Sequence, residues 1–234
     1  MSYESVYVRQ YGDISKEFEY ACLDAYGKIV PDINDGEIKH VGTATGIRII
    51  AGKETVREKD KIKIEVYITN SRVVFQCDKY NTGDEGWFGD PISVGIATAI
   101  DRGVAAFSRV GKAMIGHIRY EWLEGVRYEL RTGIFAKDEL VLFYENQNKY
   151  HWFILKFKRD VDVKRLAEEV FVKACAYRLA MDDKKKEEET AFFQNPKEAK
   201  WQPLKKGTGG VVEMPNYYTA PTGGICYHPV YKDR

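Results

Sequence analysis

The sequence predicts a mainly β protein with helices (α+β), in which seven antiparallel strands make a barrel or sandwich and one helix caps it. Three observations carry this. From Ile38 to Phe157 hydrophobicity alternates with a period of two. The links between successive runs are short, which makes sequential strands antiparallel neighbours. One helical apolar stripe then follows the last run, over residues 161–181.

The chain before the strands, residues 1–37, reads as an arm and a short helix. Residues 1–13 are Tyr-rich and irregular. Residues 14–27 repeat an apolar residue every fourth position (Phe18, Cys22, Tyr26), with Asp13 or Ser15 to cap the start. Gly27 sits where a left-handed residue ends a helix. The connector Pro31-Asp32-Ile33-Asn34-Asp35-Gly36 is turn-rich.

The seven strands are expected at 38–50, 61–69, 72–80, 115–122, 125–132, 138–145 and 150–158. Ile62, Ile64, Val66 and Ile68 oppose Lys61, Lys63, Glu65 and Tyr67. Ile118, Tyr120 and Trp122 oppose His117, Arg119 and Glu121, and Val126, Tyr128 and Leu130 oppose Arg127, Glu129 and Arg131. Such alternation places one face on a core and the other in water, with His117 and His151 on strand surfaces. The last two strands are apolar on both faces, so their outer side needs a cover. Asn70-Ser71, Leu123-Glu124 and Asn146-Gln147-Asn148-Lys149 supply tight turns.

The closing helix has Asp160 or Asp162 as its cap. Its stripe runs through Val163, Leu166, Val170, Phe171, Tyr177 and Met181, with Ala167 and Ala174 between them. Burying each larger side chain would contribute roughly 1.5–3 kcal/mol.

The strands pivot on Ile68-Thr69-Asn70-Ser71-Arg72-Val73-Val74-Phe75. This stretch, the strand order and the closing helix together resemble the pleckstrin-homology-like superfold, and within it the GRAM and bacterial PH-like domains. The family's marker is an aliphatic strand end, T-N-x-R and a short apolar strand. Ile118-Arg119-Tyr120-Glu121-Trp122-Leu123 is similar to a second family strand. The resemblance covers residues 38–181 and implies a binding module. The motif itself is explained by folding: Asn70 sets the turn, Thr69 bonds the turn backbone, Val73 and Phe75 enter the core, and Arg72 points outward.

Many PH-like domains bind phosphoinositide headgroups through basic residues near the loop between the first two strands. The resemblance offers Arg48, Lys53, Arg57, Lys61 and Arg72 as headgroup-binding candidates, with Lys59 and Lys63 nearby. Glu54, Glu58 and Asp60 are interleaved and dilute the charge.

The chain departs from a minimal PH-like domain by an amphipathic insertion at about 84–114. Trp87 and Phe88 sit in a Gly-rich loop, and Ile92, Ile96, Ile100, Val104 and Phe107 continue as a helical stripe to Val110 and Met114. Asp90 caps it ahead of Pro91. Three readings compete. The helix packs on the outer sheet face, it belongs to a self-association surface, or it enters a membrane interface with Trp87 and Phe88 leading.

Residues 182–234 form the third segment, a charged helix extension and an aromatic Gly/Pro-rich arm. Asp182–Lys186 and Lys184–Glu188 pair along the extension. The aromatics of the arm (Phe192, Phe193, Trp201, Tyr217, Tyr227 and Tyr231 among them) predict an extended wrap around this domain or a neighbouring subunit.

Charge argues against a phosphate groove. The formal net charge is +1, and residues 182–234 carry nine basic and eight acidic side chains, so neither part is basic. Nucleic acid is therefore not an expected partner. The four cysteines are isolated, and Cys226-Tyr227-His228 is too small a set for zinc, so no metal or cofactor is expected. No nucleotide, hydrolase or zincin motif is present, and the four histidines are dispersed, so no catalytic residue is named. The N-terminus lacks an apolar signal region, and no apolar run reaches the ~18 residues of a membrane span. The expectation is a cytoplasmic, non-catalytic binding or scaffold module that engages protein partners, including itself. The alternative is a peripheral module for anionic lipid, and a hydrolase is a distant third.

Overall fold

The computed structural model describes residues 2–3, 27–77, 111–133, 135–146, 149–181, 187–215 and 225–231. The described strands are β1 (Ser2–Tyr3), β2 (Lys39–Ala51), β3 (Glu54–Ile68), β4 (Arg72–Cys77), β5 (Gly111–Arg119) and β6 (Leu123–Leu130). They continue with β7 (Asp138–Asn146), β8 (Lys149–Phe157), β9 (Gln202–Pro203), β10 (Thr208–Glu213) and β11 (Ile225–Tyr231). The helices are α1 (Val163–Met181) and α2 (Glu187–Gln194), with 3₁₀ turns at Tyr120–Trp122 and Pro196–Glu198. The chain is mostly antiparallel sheet with a few helices. Two compact units divide it: residues 33–73 with 118–220, and residues 1–32 with 74–117 and 221–234.

In the first of these units the strand order is β3-β2-β8-β7-β6-β10-β9. Every pair described within it is antiparallel. The sheet is open, not closed into a barrel, and the described strands number eleven, not seven. The reason lies in the Gly-rich stretch after α1. Thr208–Glu213 pairs along β6 over its whole length, so the edge of β6 is taken by a strand that extends the sheet.

Register sorts the side chains into two faces. Ile47 and Ile49 of β2, Phe153 and Leu155 of β8, and Leu140 and Leu142 of β7 are aligned across the sheet and wholly buried or nearly so. Tyr128 of β6 shares this face and meets Trp201 at 5.4 Å between ring centroids; Trp201 in turn meets Phe171 of α1 at 5.9 Å. The helix therefore covers this face, packing on β6 and β7. Asp162 starts it, accepting from the Arg165 amide at 3.0 Å. Val163, Leu166, Val170, Phe171, Ala174 and Cys175 are its buried stripe, while Met181, expected to continue the stripe, is exposed.

At Ala44–Gly46 the registers of β2 with both β3 and β8 shift. Lys61 takes φ 61° in this irregular stretch, where the ladder passes from Ile64 to Asp60. Lys156 ties it down through Glu58 at 2.5 Å and Asp60 at 3.4 Å, and Lys137 reaches Asp60 at 3.3 Å. Burial pushes the Asp60 carboxyl up, but the Lys137 hydrogen bond and the Lys156 and Lys137 charges outweigh it and hold it below the usual range.

In the other unit the strand order is β1-β11-β5-β4. β11 pairs with β5 from Ile225↔Gly116 to Val230↔Gly111, and β1 pairs with β11. Gly111–Met114, expected at the end of the inserted helix, are strand instead, because this segment has β11 as a ladder partner. Val74, Phe75, Cys77 and Ile115 are buried here. His117, expected on a strand surface, is buried as well. Gly27 has φ 79°, and its carbonyl accepts from Gln76 Nε2 at 3.2 Å. The helix expected at 14–27 otherwise lies outside the described residues.

Candidate functional site

The Ile68–Phe75 stretch is a folding hub. Thr69 N donates to Arg72 O at 3.0 Å and closes the turn. The Thr69 hydroxyl accepts from the Ser71 and Arg72 amides at 3.0 and 2.9 Å, as a turn-setting Thr should. Arg72, expected to point outward, is buried against Asp35 of the Pro31–Gly36 connector. Its Nε lies 3.0 Å from Asp35 Oδ1 and its terminal nitrogen 2.6 Å from Oδ2, a forked pair. Ser71 and Thr69 hydroxyls also donate to Asp35 Oδ1, at 2.6 and 2.8 Å. The Asp35 carboxylate thus takes donors from three residues, Arg72, Ser71 and Thr69. Tyr120 extends the hub: its amide donates to Ser71 O at 2.9 Å and its hydroxyl to Thr69 O at 3.1 Å. Arg178 of α1 then donates to Tyr120 O at 3.1 Å and Glu121 O at 3.0 Å. The motif's polar atoms are spent on joining connector, hairpin and helix.

The basic candidates are not gathered at one loop. Gly52 and Lys53 form the whole turn between β2 and β3, so Arg57 and Lys61, expected in or near a loop, are strand residues. Lys53 and Lys61 are exposed. Arg48 is half-buried, with its guanidinium 3.7 Å from Glu139. Lys53 lies at the hairpin tip and Arg72 beyond its other end, because β3 runs from Glu54 to Ile68 between them. Fifteen extended residues separate these ends, on the order of 45 Å along a strand. The insertion candidates Trp87, Phe88, Ile92, Ile96, Ile100, Val104 and Phe107 lie outside the described residues.

A concave site is present elsewhere, on the sheet face opposite α1. Residues aligned across the sheet run Glu213 (β10), Gly125 (β6), Phe143 (β7), Trp152 (β8) and Ile50 (β2). The next row begins with Glu145 opposite Tyr150. Gly125 seats the Phe143 ring, since a Cβ there would overlap the ring, which lies across the glycine. Trp152 and Tyr150, two apart on β8, present rings 6.4 Å apart and inclined by 31°. The result is a cleft of about 620 Å³ with an aromatic floor of Phe143, Tyr150 and Trp152 and a rim of Glu124, Glu145 and Glu213. Tyr150 is half exposed at 52%.

The rim is electrostatically one-sided. Arg127 lines the cleft, but its guanidinium is paired with Glu129. The Tyr150 hydroxyl is raised above its usual range, first by the Glu124 charge, then by partial burial and a Glu124 hydrogen bond, with Glu145 and Glu213 adding to it. Three carboxylates thus act on one hydroxyl. Below the cleft the same face carries Arg48, Arg127, Glu129, Arg131 and Glu139, of which Glu129 and Glu139 are direct cross-strand partners. Like charges opposite each other repel. Arg131 relieves this by reaching Glu129 at 3.3 Å and Glu139 at 3.2 Å.

Chemically, such a cleft offers π faces and negative charge to a cationic group. Cys175 lies on the buried face of α1, and burial pushes its thiol up to about 12 against the opposing Arg178 charge, so it stays protonated. Among the described residues no group of His, Cys, Asp and Glu is placed to hold a metal ion. Among the same residues no helix is long and apolar enough to cross a membrane. The sequence did carry one signal of the cleft: two-sided apolar strands at 138–145 and 150–158. Its charge could not be read, because Glu124, Glu145 and Glu213 come from three separated strand ends. No protein-family model, curated protein or solved structure matches the chain.

Proposed function

We propose that the protein is a non-catalytic binding module that takes a segment of a protein partner in the Phe143–Trp152 cleft. The carrying observation is the cleft itself, three aromatic rings held in register on β7 and β8 with carboxylates around them. Aromatic side chains on rigid strands provide contact area at low entropic cost, which is what recognition of a peptide segment uses. The hairpin motif at 68–75 and the helix after β8 support a PH-like frame, opened along β6 by the chain's own β10.

The test is selection of peptides on the immobilised full chain, followed by hydrogen exchange of the best binders in complex. Selected peptides should protect amides of 143–145 and 150–152 and lose affinity to Tyr150→Ala, a half-exposed position whose removal leaves the core intact. Protection confined to other surfaces, or no enrichment over a blank support, would remove this reading. Liposome flotation with anionic lipid tests the alternative: flotation that persists in Tyr150→Ala would favour a lipid module.

A further inference from the structure

We infer that the group this cleft receives is the guanidinium of an arginine in the partner segment. The inference rests on the binding-module reading above and adds to it the chemistry of the anchor.

Charge complementarity fixes the sign. Glu124, Glu145 and Glu213 stand on the rim, and Arg127, the cation among the described lining residues, already has Glu129 as its partner. An anion would be repelled by these carboxylates and a neutral apolar side chain would gain nothing from them, whereas a cation is attracted by them and by the ring quadrupoles together.

Shape chooses among cations. A quaternary or methylated ammonium is compact and gains most from walls that enclose it on several sides. This floor is open instead. Tyr150 and Trp152 are inclined by 31° with centroids 6.4 Å apart, so the two rings form a shallow platform, not a cage. Phe143 continues it on the neighbouring strand, directly opposite Trp152. A planar guanidinium lies flat on such a surface while its edge nitrogens remain free to donate sideways. The carboxylates are where those donors would point: Glu145 is the cross-strand partner of Tyr150, and Glu213 lies beyond Gly125 in the row of Phe143. Lysine has a single hydrated point charge and cannot cover the rings and reach two carboxylates at once.

The experiment titrates the full chain with N-acetyl-arginine methylamide, its lysine counterpart and its neutral isostere citrulline, and follows the Trp152 indole and backbone amides of 143–152 by NMR. The arginine probe should shift these signals in the millimolar range, lysine should bind several-fold more weakly, and citrulline should leave them unmoved. Glu145→Gln and Glu213→Gln should each weaken the arginine probe roughly two- to fivefold, the range of a partly exposed ion pair, and added salt should do the same. Unchanged melting temperatures of both variants would show that the loss belongs to the site. Equal binding of citrulline and arginine, or of lysine and arginine, would overturn the guanidinium inference while leaving the peptide-binding reading standing. If none of the three probes moves the cleft although selected peptides protect it, the inference is overturned and the reading is kept. If selected peptides also avoid it, both fall.

Discussion

Asp35 and Arg72 stand 37 residues apart in sequence and form a forked ion pair from which solvent is almost wholly excluded. Neither charge has water to fall back on, so removing one strands the other. Asp35→Ala should cost about 3–5 kcal/mol, the usual result of breaking one side of a buried pair. Replacing both, Asp35→Ala with Arg72→Met, should cost much less than the two single changes added together. Urea denaturation of the four proteins measures this coupling. Additive losses would mean that Asp35 acts only through Thr69 and Ser71.

Gly125 is the position on which the seat of the Phe143 ring depends. A Cβ there would overlap the Phe143 ring and crowd the Val212 carbonyl. Gly125→Ala should force the ring out of place, at roughly 1–3 kcal/mol for an overpacked site. The Trp152 environment should change with it, because Phe143 is the cross-strand neighbour of Trp152. Thermal melting together with indole chemical shifts checks both halves. A stable variant with an unmoved Trp152 signal would show that the ring has room to spare.

These two sites also show which features the sequence made legible. Period-two alternation located β2, β6, β7 and β8 to within a few residues, since register needs only the chain's own pattern. It failed at Tyr120–Trp122, where the strand gives way to a 3₁₀ turn because Tyr120 is pulled onto Ser71 and Thr69. It failed for Arg72 because the deciding partner, Asp35, sits in a connector that reads as an ordinary turn. The strands β9 and β10 were hidden by composition. Gly209 and Gly210 fall in the Gly/Pro-rich arm expected to wrap in extended form, and they are glycines because the Tyr128 backbone and ring approach too closely for a side chain. The cleft was the least legible of all, because its rim is assembled by β6, β7 and β10 only once they are paired.

Glu65 should give the fold a distinct acid response. Burial raises its carboxyl, but hydrogen bonds from Lys63, Thr43 and His40 and the Lys63 charge prevail and bring it down to about 2. A depressed carboxylate stabilises the fold fully above the unfolded value near 4.5. That contribution fades as the pH falls from there toward 2, where the folded form also takes up the proton. Glu65→Gln should therefore destabilise at pH 7 by roughly 1–2 kcal/mol, kept small because Lys63 is exposed and screened. Near pH 2 the difference from wild type should vanish. Denaturation curves across this range decide it, and a difference independent of pH would remove the charge from the explanation.

Phe171 and Trp201 distinguish the core from the chain that wraps it. Phe171 is 1% exposed and meets Phe192 at 6.1 Å and Trp201 at 5.9 Å between centroids. It therefore belongs both to the helix–sheet core and to the contacts that hold the segment after α1. Phe171→Ala should cost about 3–5 kcal/mol, as for other buried aromatics. Trp201 is only half-buried and bridges Phe171 to Tyr128. Its truncation should cost less and act locally, loosening β9 and the start of β10, which follow it directly. Hydrogen exchange separates the two outcomes. In Trp201→Ala, amides of 202–210 should lose protection while those of β2, β7 and β8 keep theirs. Uniform loss across all strands would mean that the arm and the sheet unfold as one cooperative unit, and that Trp201 is as much a part of the core as Phe171.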